Sequence, residues 1–121
     1  MKKVFLTLMF SLFTVAVFAD TNPIFTGLYI QSTRGYCVQT GQTTDGFGDK
    51  QVEVKIYEDH ITICDLSIGL ATIADFKGTA GRTKYYVDSM GNRYYVRLDY
   101  SMYMENYFNG LTFQYQMTRV H

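Results

Sequence analysis

Two runs of alternating hydrophobicity separated by a two-residue gap constrain this chain more than any other feature. Val52, Val54 and Ile56 alternate with Gln51, Glu53, Lys55 and Tyr57, and beyond Glu58-Asp59 the alternation resumes with Ile61 and Ile63 against His60, Thr62 and Cys64. A period of two sends successive side chains to opposite faces of a pleated strand, so the pattern predicts a tight hairpin. With Glu58-Asp59 as the loop, Ile56 faces Ile61 and Val54 faces Ile63 on one side, and Lys55 faces Thr62 and Glu53 faces Cys64 on the other. A slip of one residue turns every Ile and Val to water, which fixes the register.

A second hairpin is expected around Met90-Gly91, where glycine supplies the positive φ of a tight turn. That turn pairs Val87 with Tyr94 and Tyr85 with Val96 inside, and Asp88 with Arg93 and Tyr86 with Tyr95 outside. A last strand is legible in Leu111, Phe113, Tyr115 and Met117 alternating with Thr112, Gln114, Gln116 and Thr118. Nearer the start, Leu28 and Ile30, then Tyr36 and Val38, read as one broken strand or two short ones, followed by a Gly/Thr/Asp loop over residues 40–48. Residues 66–76 admit either a helix capped by Asp65 or a strand. The strand is favoured, because Gly69, Thr72 and Ile73 are poor helix formers and the neighbours are all β. The predicted class is all-β: an antiparallel meander closing into a small barrel of six to eight strands, with a two-layer β-sandwich as the alternative.

The N-terminus belongs to a different problem. Lys2 and Lys3 precede an apolar run over residues 4–18, and Val17-Phe18-Ala19 leads into Asp20. A basic start, a short apolar stretch and small residues at the last and third-last positions describe an export signal over residues 1–19, too short to span a bilayer well. Cleavage leaves a single domain over residues 20–121, expected to be soluble and either periplasmic or secreted, with no membrane insertion. Removing Lys2 and Lys3 from eleven basic residues leaves nine against eleven acidic ones, a net charge of −2. Nucleic acid, which calls for a basic surface, is not the expected partner.

Cys37 and Cys64 are the two cysteines, and in an oxidising compartment a single bridge between them is expected. It would stabilise the fold by roughly 3–4 kcal/mol in the chain-entropy model. The bridge sits awkwardly with a plain meander, in which the strand of Cys37 neighbours that of residues 50–57 instead of that of Cys64. Either the segment around Cys37 crosses the sheet, or the strand order is not a plain meander, or the thiols are free. With His60 and His121 the only histidines, neither a metal centre nor another cofactor is expected.

Candidate sites follow from residue type. The segment Asp99-Tyr100-Ser101-Met102-Tyr103-Met104-Glu105-Asn106-Tyr107-Phe108-Asn109-Gly110 reads as a long connection rich in Tyr and Met. Tyr100, Tyr103, Tyr107 and Phe108 on it are candidates for partner contact or for plugging one barrel end. Tyr86 and Tyr95, flanked by Arg93 and Arg97, are candidates for an exposed aromatic strip that a sugar or a protein could stack on, or for ordinary cross-strand pairs. Asp45-Gly46-Phe47-Gly48-Asp49 has two carboxylates in a Gly-rich loop but lacks the further ligands of a calcium loop. Glu58-Asp59-His60 sits at a hairpin tip, where a carboxylate has no cleft to tune it. No Gly-x-Ser-x-Gly elbow or other catalytic constellation is present, so an enzyme is not expected.

With the export signal, Ile56-Tyr57-Glu58-Asp59-His60-Ile61 at a hairpin and Tyr85-Tyr86-Val87-Asp88 leading into Tyr94-Tyr95-Val96, the chain resembles small secreted β-domains of uncharacterised bacterial proteins of the Bacteroidetes type. Periplasmic lysozyme inhibitors are similar in size, barrel architecture and single disulfide, but their inhibitory loop signature does not occur here. The expected function is a secreted, non-enzymatic module binding a protein or a glycan. The alternative is a carrier holding a small apolar ligand inside the barrel.

Overall fold

The computed structural model describes residues 22–120, so the expected export signal lies outside the described residues. The described residues form nine strands and no helix: β1 (Phe25–Gln31), β2 (Tyr36–Cys37), β3 (Lys50–Ile56), β4 (His60–Asp65), β5 (Leu70–Ala80), β6 (Thr83–Asp88), β7 (Arg93–Val96), β8 (Met102–Phe108) and β9 (Leu111–Arg119). The sheet order is β1-β3-β4-β5-β6-β7-β8-β9-β2, and β1 also pairs with β9. Eight strands therefore close an antiparallel up-and-down barrel, and β2 continues the line of β1 along β9. The register moves from Gln31↔Met117 to Tyr36↔Gln114, so the broken first strand carries a small insertion at residues 32–35.

The β3–β4 hairpin has the expected register, Ile56↔Ile61 and Val54↔Ile63 inside, with the Tyr57 amide donating to the His60 carbonyl to close its two-residue loop. Residues 66–69 make a turn stapled by Asp65, whose carboxylate accepts from the Ser67 amide and hydroxyl, and residues 70–76 are strand as expected. Asp65 is thus the acceptor of a hairpin turn, not the cap of a helix.

Interior side chains come from every barrel strand: Tyr29, Val52, Val54, Ile56, Ile61, Ile63, Ala74, Tyr86, Tyr94, Val96, Met102, Met104 and Met117 form one buried cluster. Eight strands enclose a space that side chains just fill, and here the largest fillers are the fully buried rings of Tyr29 and Tyr86. On β1 the alternation of Leu28 and Ile30 marks the outer face, because Tyr29 takes the inner one. Gly27 makes room for it: a Cβ there would lie 2.8 Å from the Phe25 ring and 3.0 Å from that of Tyr29. The Tyr29 hydroxyl then donates to the Tyr100 carbonyl across the barrel end.

Two expectations are corrected by this packing. The β6–β7 register is Tyr86↔Tyr94 and Tyr85↔Tyr95, one residue from the expected pairing, so Tyr86 and Asp88 face inward and Tyr85 and Val87 outward. The cause is Asp88. Its carboxylate accepts from the Met90 amide (2.9 Å), the Asn92 amide (3.0 Å), Asn92 Nδ2 (3.2 Å) and the Tyr94 hydroxyl (3.1 Å), which requires a three-residue loop, Ser89-Met90-Gly91, in place of two. Gly91, at φ 85°, completes that turn.

The second correction concerns the cysteines, which are both free thiols. Cys37 pairs with Phe113 on β9 and is buried, whereas Cys64 sits on β4 opposite Glu53, on the outer face. Two strand spacings, ~10 Å, separate the β1/β2 line from β4, beyond the ~7 Å that a bridge between Cα atoms tolerates.

Replacing Asp88 by Ala leaves the Tyr94 hydroxyl and two turn amides without their acceptor. Urea unfolding should register a loss of about 3 kcal/mol, a large share of a small domain's stability. Burial also raises the hydroxyl pKa of Tyr29 to about 12 and lifts those of Tyr86 and Tyr94 above the ordinary value. A raised folded-state value means that the unfolded chain deprotonates first. Stability should hold below pH 10, where tyrosine ordinarily titrates, and fall as pH rises from 10 toward 12, which urea midpoints across that range will report.

Candidate functional site

The outer face of β6, β7 and β8 gathers tyrosines because two registers line up. Tyr85 opposes Tyr95 and Tyr95 opposes Tyr103, so one ring from each strand falls in a row across the sheet. Tyr95 and Tyr103 stack with centroids 4.6 Å apart and planes 9° from parallel, and Tyr85 leans on Tyr95 at 5.8 Å. Arginines lie over three of the rings: Arg97 is 4.8 Å from the Tyr103 centroid, and Arg93 is 5.2 Å from that of Tyr85 and 5.9 Å from that of Tyr107. Such contacts contribute about 0.5–1 kcal/mol each at exposed sites.

Glu105 ties the row together from β8. Its Oε1 accepts from the Tyr95 hydroxyl (3.2 Å) and the Tyr107 hydroxyl (2.8 Å), and its Oε2 from Gln114 Nε2 (2.8 Å). Burial first, then the hydrogen bond to Glu105 and its charge, hold the Tyr107 hydroxyl above its ordinary value. Burial and the same carboxylate raise Tyr103. The hydroxyls therefore stay neutral at physiological pH, as donors beside two fixed guanidinium groups.

This face merges two candidates that the sequence keeps apart. The expected Tyr/Met loop is corrected to a strand: residues 102–108 pair with β9 and residues 102–105 also with β7, turning Met102 and Met104 into the core and Tyr103, Glu105 and Tyr107 outward. Tyr95, Tyr103 and Tyr107 thereby meet on one surface. The other candidates are placed elsewhere. Tyr86 is buried in the core, Tyr100 stacks on Phe25 at 4.0 Å at the barrel end with φ 66°, and Phe108 stands exposed at the β8–β9 tip. Tyr85, Glu105 and Gln114 complete the face without having been predicted. The missed signal was Asn109-Gly110, both at positive φ in a two-residue turn that pairs Phe108 with Leu111. Asn-Gly is the strongest short hairpin cue, and the period of two upstream of it gives the outward set.

The remaining motifs lie apart from this face. Asp59 and His60 share a 2.7 Å contact at the β3–β4 tip, with Tyr57 stacked on the imidazole at 4.3 Å and the Asp59 side chain 87% exposed. Asp45 and Asp49 are exposed on the loop between β2 and β3, and among the described residues no three metal-ligating side chains converge. No protein-family model, curated protein or solved structure matches the chain, so the face is read from its own residues.

Glu105→Gln removes the charge that opposes ionisation at Tyr107 while keeping an acceptor in place. Tyrosine titration at 295 nm should show one hydroxyl moving down toward pH 10, and thermal unfolding should change by less than about 1 kcal/mol, as expected of a surface group.

Proposed function

We infer that the mature chain is an exported, non-enzymatic binding module that docks a protein partner on the face built from Tyr85, Tyr95, Tyr103, Tyr107, Arg93 and Arg97. One observation carries this reading: the tyrosine ring planes cover one another or are covered by arginine, so the face presents ring edges, hydroxyls and guanidinium groups. A sugar needs an open ring face for its C–H bonds, and the stacked faces of Tyr95 and Tyr103 and the arginine sides of Tyr85, Tyr103 and Tyr107 do not offer one. Ring edges, hydroxyls and guanidinium forks suit a polar protein surface, where Tyr and Arg supply most hot spots. Because Glu105 and the stacking already fix the side chains, little rotamer entropy is lost on docking.

Two other readings have less support. A carrier needs room along the barrel axis, and that space is taken by Tyr29, Tyr86, Ile61, Met102 and Met117, each below 2% exposed or at 2%. A membrane barrel needs an apolar outer band, whereas Glu53, Lys55, Asp75, Lys77 and Arg93 lie on this outer surface. Export rests on the basic and apolar start of residues 1–19.

The test compares the mature protein with an Arg97→Ala/Tyr103→Ala double variant, and with Lys55→Ala on the opposite wall as control, each cross-linked in the extracellular fraction of its own cells. One protein should be recovered in stoichiometric amount with the wild type and with Lys55→Ala, and at least about ten-fold less with the double variant at a temperature where all three are folded, as the loss of a hot spot predicts. Equal recovery with the double variant defeats the reading. So does a glycan-array signal that the double variant abolishes.

A further inference from the structure

The wall of the barrel is not of even height. On one side β5 pairs with β4 as far as Leu70, but β6 ends at Asp88, opposite Ala74, so residues 70–73 have a neighbour on the β4 side alone. On the other side β8 runs to Phe108 while β7 begins at Arg93, opposite Glu105, leaving residues 106–108 without a β7 partner. The short β6–β7 hairpin between them makes a notch. At ~4.8 Å per strand the gap from β5 to β8 is about 14 Å, two strands wide. Two clefts occupy it, one of about 630 Å³ bounded by Ala71, Ile73 and Val87, the other of about 410 Å³ bounded by Asn106, Tyr107 and Phe108. Met90 and Asn92 line both.

The β5 wall of the notch offers backbone hydrogen bonds. The Phe76 amide donates to the Asp59 carbonyl on the β4 side (2.9 Å), so even-numbered residues of β5 bond β4 and odd-numbered ones point the other way. Asp75 spends its outward groups on β6, opposite Val87, whereas Ala71 and Ile73 aim their N–H and C=O groups into the notch. The flanking side chains are apolar and exposed: Leu70 at 68%, Ile73 at 59% and Met90 at 85%. On the far wall Asn106 Oδ1 is buried with no donor.

Charge is distributed to match. Residues 66–74 carry none, while the stretch that follows, in the half of the hairpin that β6 covers, carries Asp75, Lys77, Arg82 and Lys84. Free edges are ordinarily protected by Lys, Pro or a bulge. Here the protected part is the paired part, with its bulge between Phe76 and Gly78, and the free part is bare.

We propose that this notch receives an extended, uncharged strand of a partner protein, which adds to the β5 edge through the backbone of Ala71 and Ile73 and lays apolar side chains against Leu70, Ile73 and Met90. Unpaired backbone groups at strand spacing select an extended polypeptide, and the absence of charge selects an uncharged one. A second copy of the chain fits less well, because its β5 arrives with the turn of residues 66–69 attached. That turn meets Ser89-Met90-Gly91 before more than a few residues pair. The contacts on the β5 edge use none of the Tyr/Arg face, which reaches the notch only through Tyr107 on the far wall, so each proposal is tested without the other.

The probe is a fluorescein-labelled Thr-Val repeat peptide with lysine flanks, and its control is the same peptide N-methylated on alternate residues along each edge in turn. Saturable binding is expected, with slowed amide exchange at Ala71 and Ile73, and at least one N-methylated form should bind about ten-fold more weakly, the effect of roughly one lost hydrogen bond. Ala71→Pro should weaken binding about ten-fold or more at unchanged Tm, since the N–H it removes makes no bond to β4. Ile73→Lys serves the same purpose if the proline variant is destabilised. The proposal is overturned by absence of binding at millimolar peptide, by binding indifferent to N-methylation or to both variants, or by exchange protection elsewhere. It is equally overturned if sedimentation finds a dimer that Ala71→Pro dissolves, since the occupant is then a second copy.

Discussion

The fold depends on closure between β1 and β9, the pairing that turns a meander into a barrel. Three residue pairs make it, Tyr29↔Arg119, Ile30↔Thr118 and Gln31↔Met117, extended by the Val120 amide donating to the Leu28 carbonyl and the Ser32 amide to the Gln116 carbonyl, before the chain steps aside and rejoins β9 as β2. Without that seam the apolar inner face has no second layer to cover it, because the sheet serves as its own partner. Tyr29 stands at the seam and is fully buried, its hydroxyl bonded to the carbonyl of Tyr100, whose ring stacks on Phe25. One side chain thus links the first strand to the turn between β7 and β8. Gly27 is the consequence, since any larger residue there displaces the rings that close this end.

The same demand for a filled interior explains what could be read in advance. Aliphatic residues alternating with charged ones fix the faces of β3 and β4, because no other register hides Val52, Val54, Ile61 and Ile63. Tyrosine gives no such contrast: Tyr85 and Tyr86, or Tyr94 and Tyr95, are equally able to face inward or outward, so the β6 face is decided by Asp88. Reading that carboxylate as a surface charge places it outside, but the turn it holds needs it inside. On β8 the alternation is Met against Tyr and Glu, apolar or aromatic at nearly every position, and a period of two is invisible there without the Asn109-Gly110 turn as a guide. The cysteines misled for another reason. Compartment argues for a bridge, but geometry decides, and the insertion after β1 puts Cys37 beneath β9 and away from β4.

Function follows from the outer face and from the unequal ends, both set by strand length. The aromatic row exists because β6, β7 and β8 share a register in which every second outward position is Tyr, and because Glu105 reaches both Tyr95 and Tyr107. The notch exists because Asp88 closes its hairpin early. Tyr107 belongs to both surfaces: its ring lies beside Arg93 on the outer row, and it also lines the cleft on the β8 wall.

The two surfaces differ in a way that governs how each binds. On the aromatic row Tyr95, Tyr107 and Arg97 already have hydrogen-bond partners within the chain, so an approaching surface meets ring edges and hydroxyls that are already fixed. The gain there comes from shape and from side chains held in place beforehand. In the notch the backbone of Ala71 and Ile73 has no strand partner on the β6 side among the described residues and stands beside exposed aliphatic groups. A strand entering it forms hydrogen bonds and buries apolar area together. That combination produces a negative heat-capacity change with favourable enthalpy, whereas the row gives a wetter, more polar contact. The barrel therefore separates what one flat sheet has difficulty combining: a satisfied, rigid face on its side and an unsatisfied edge at its end.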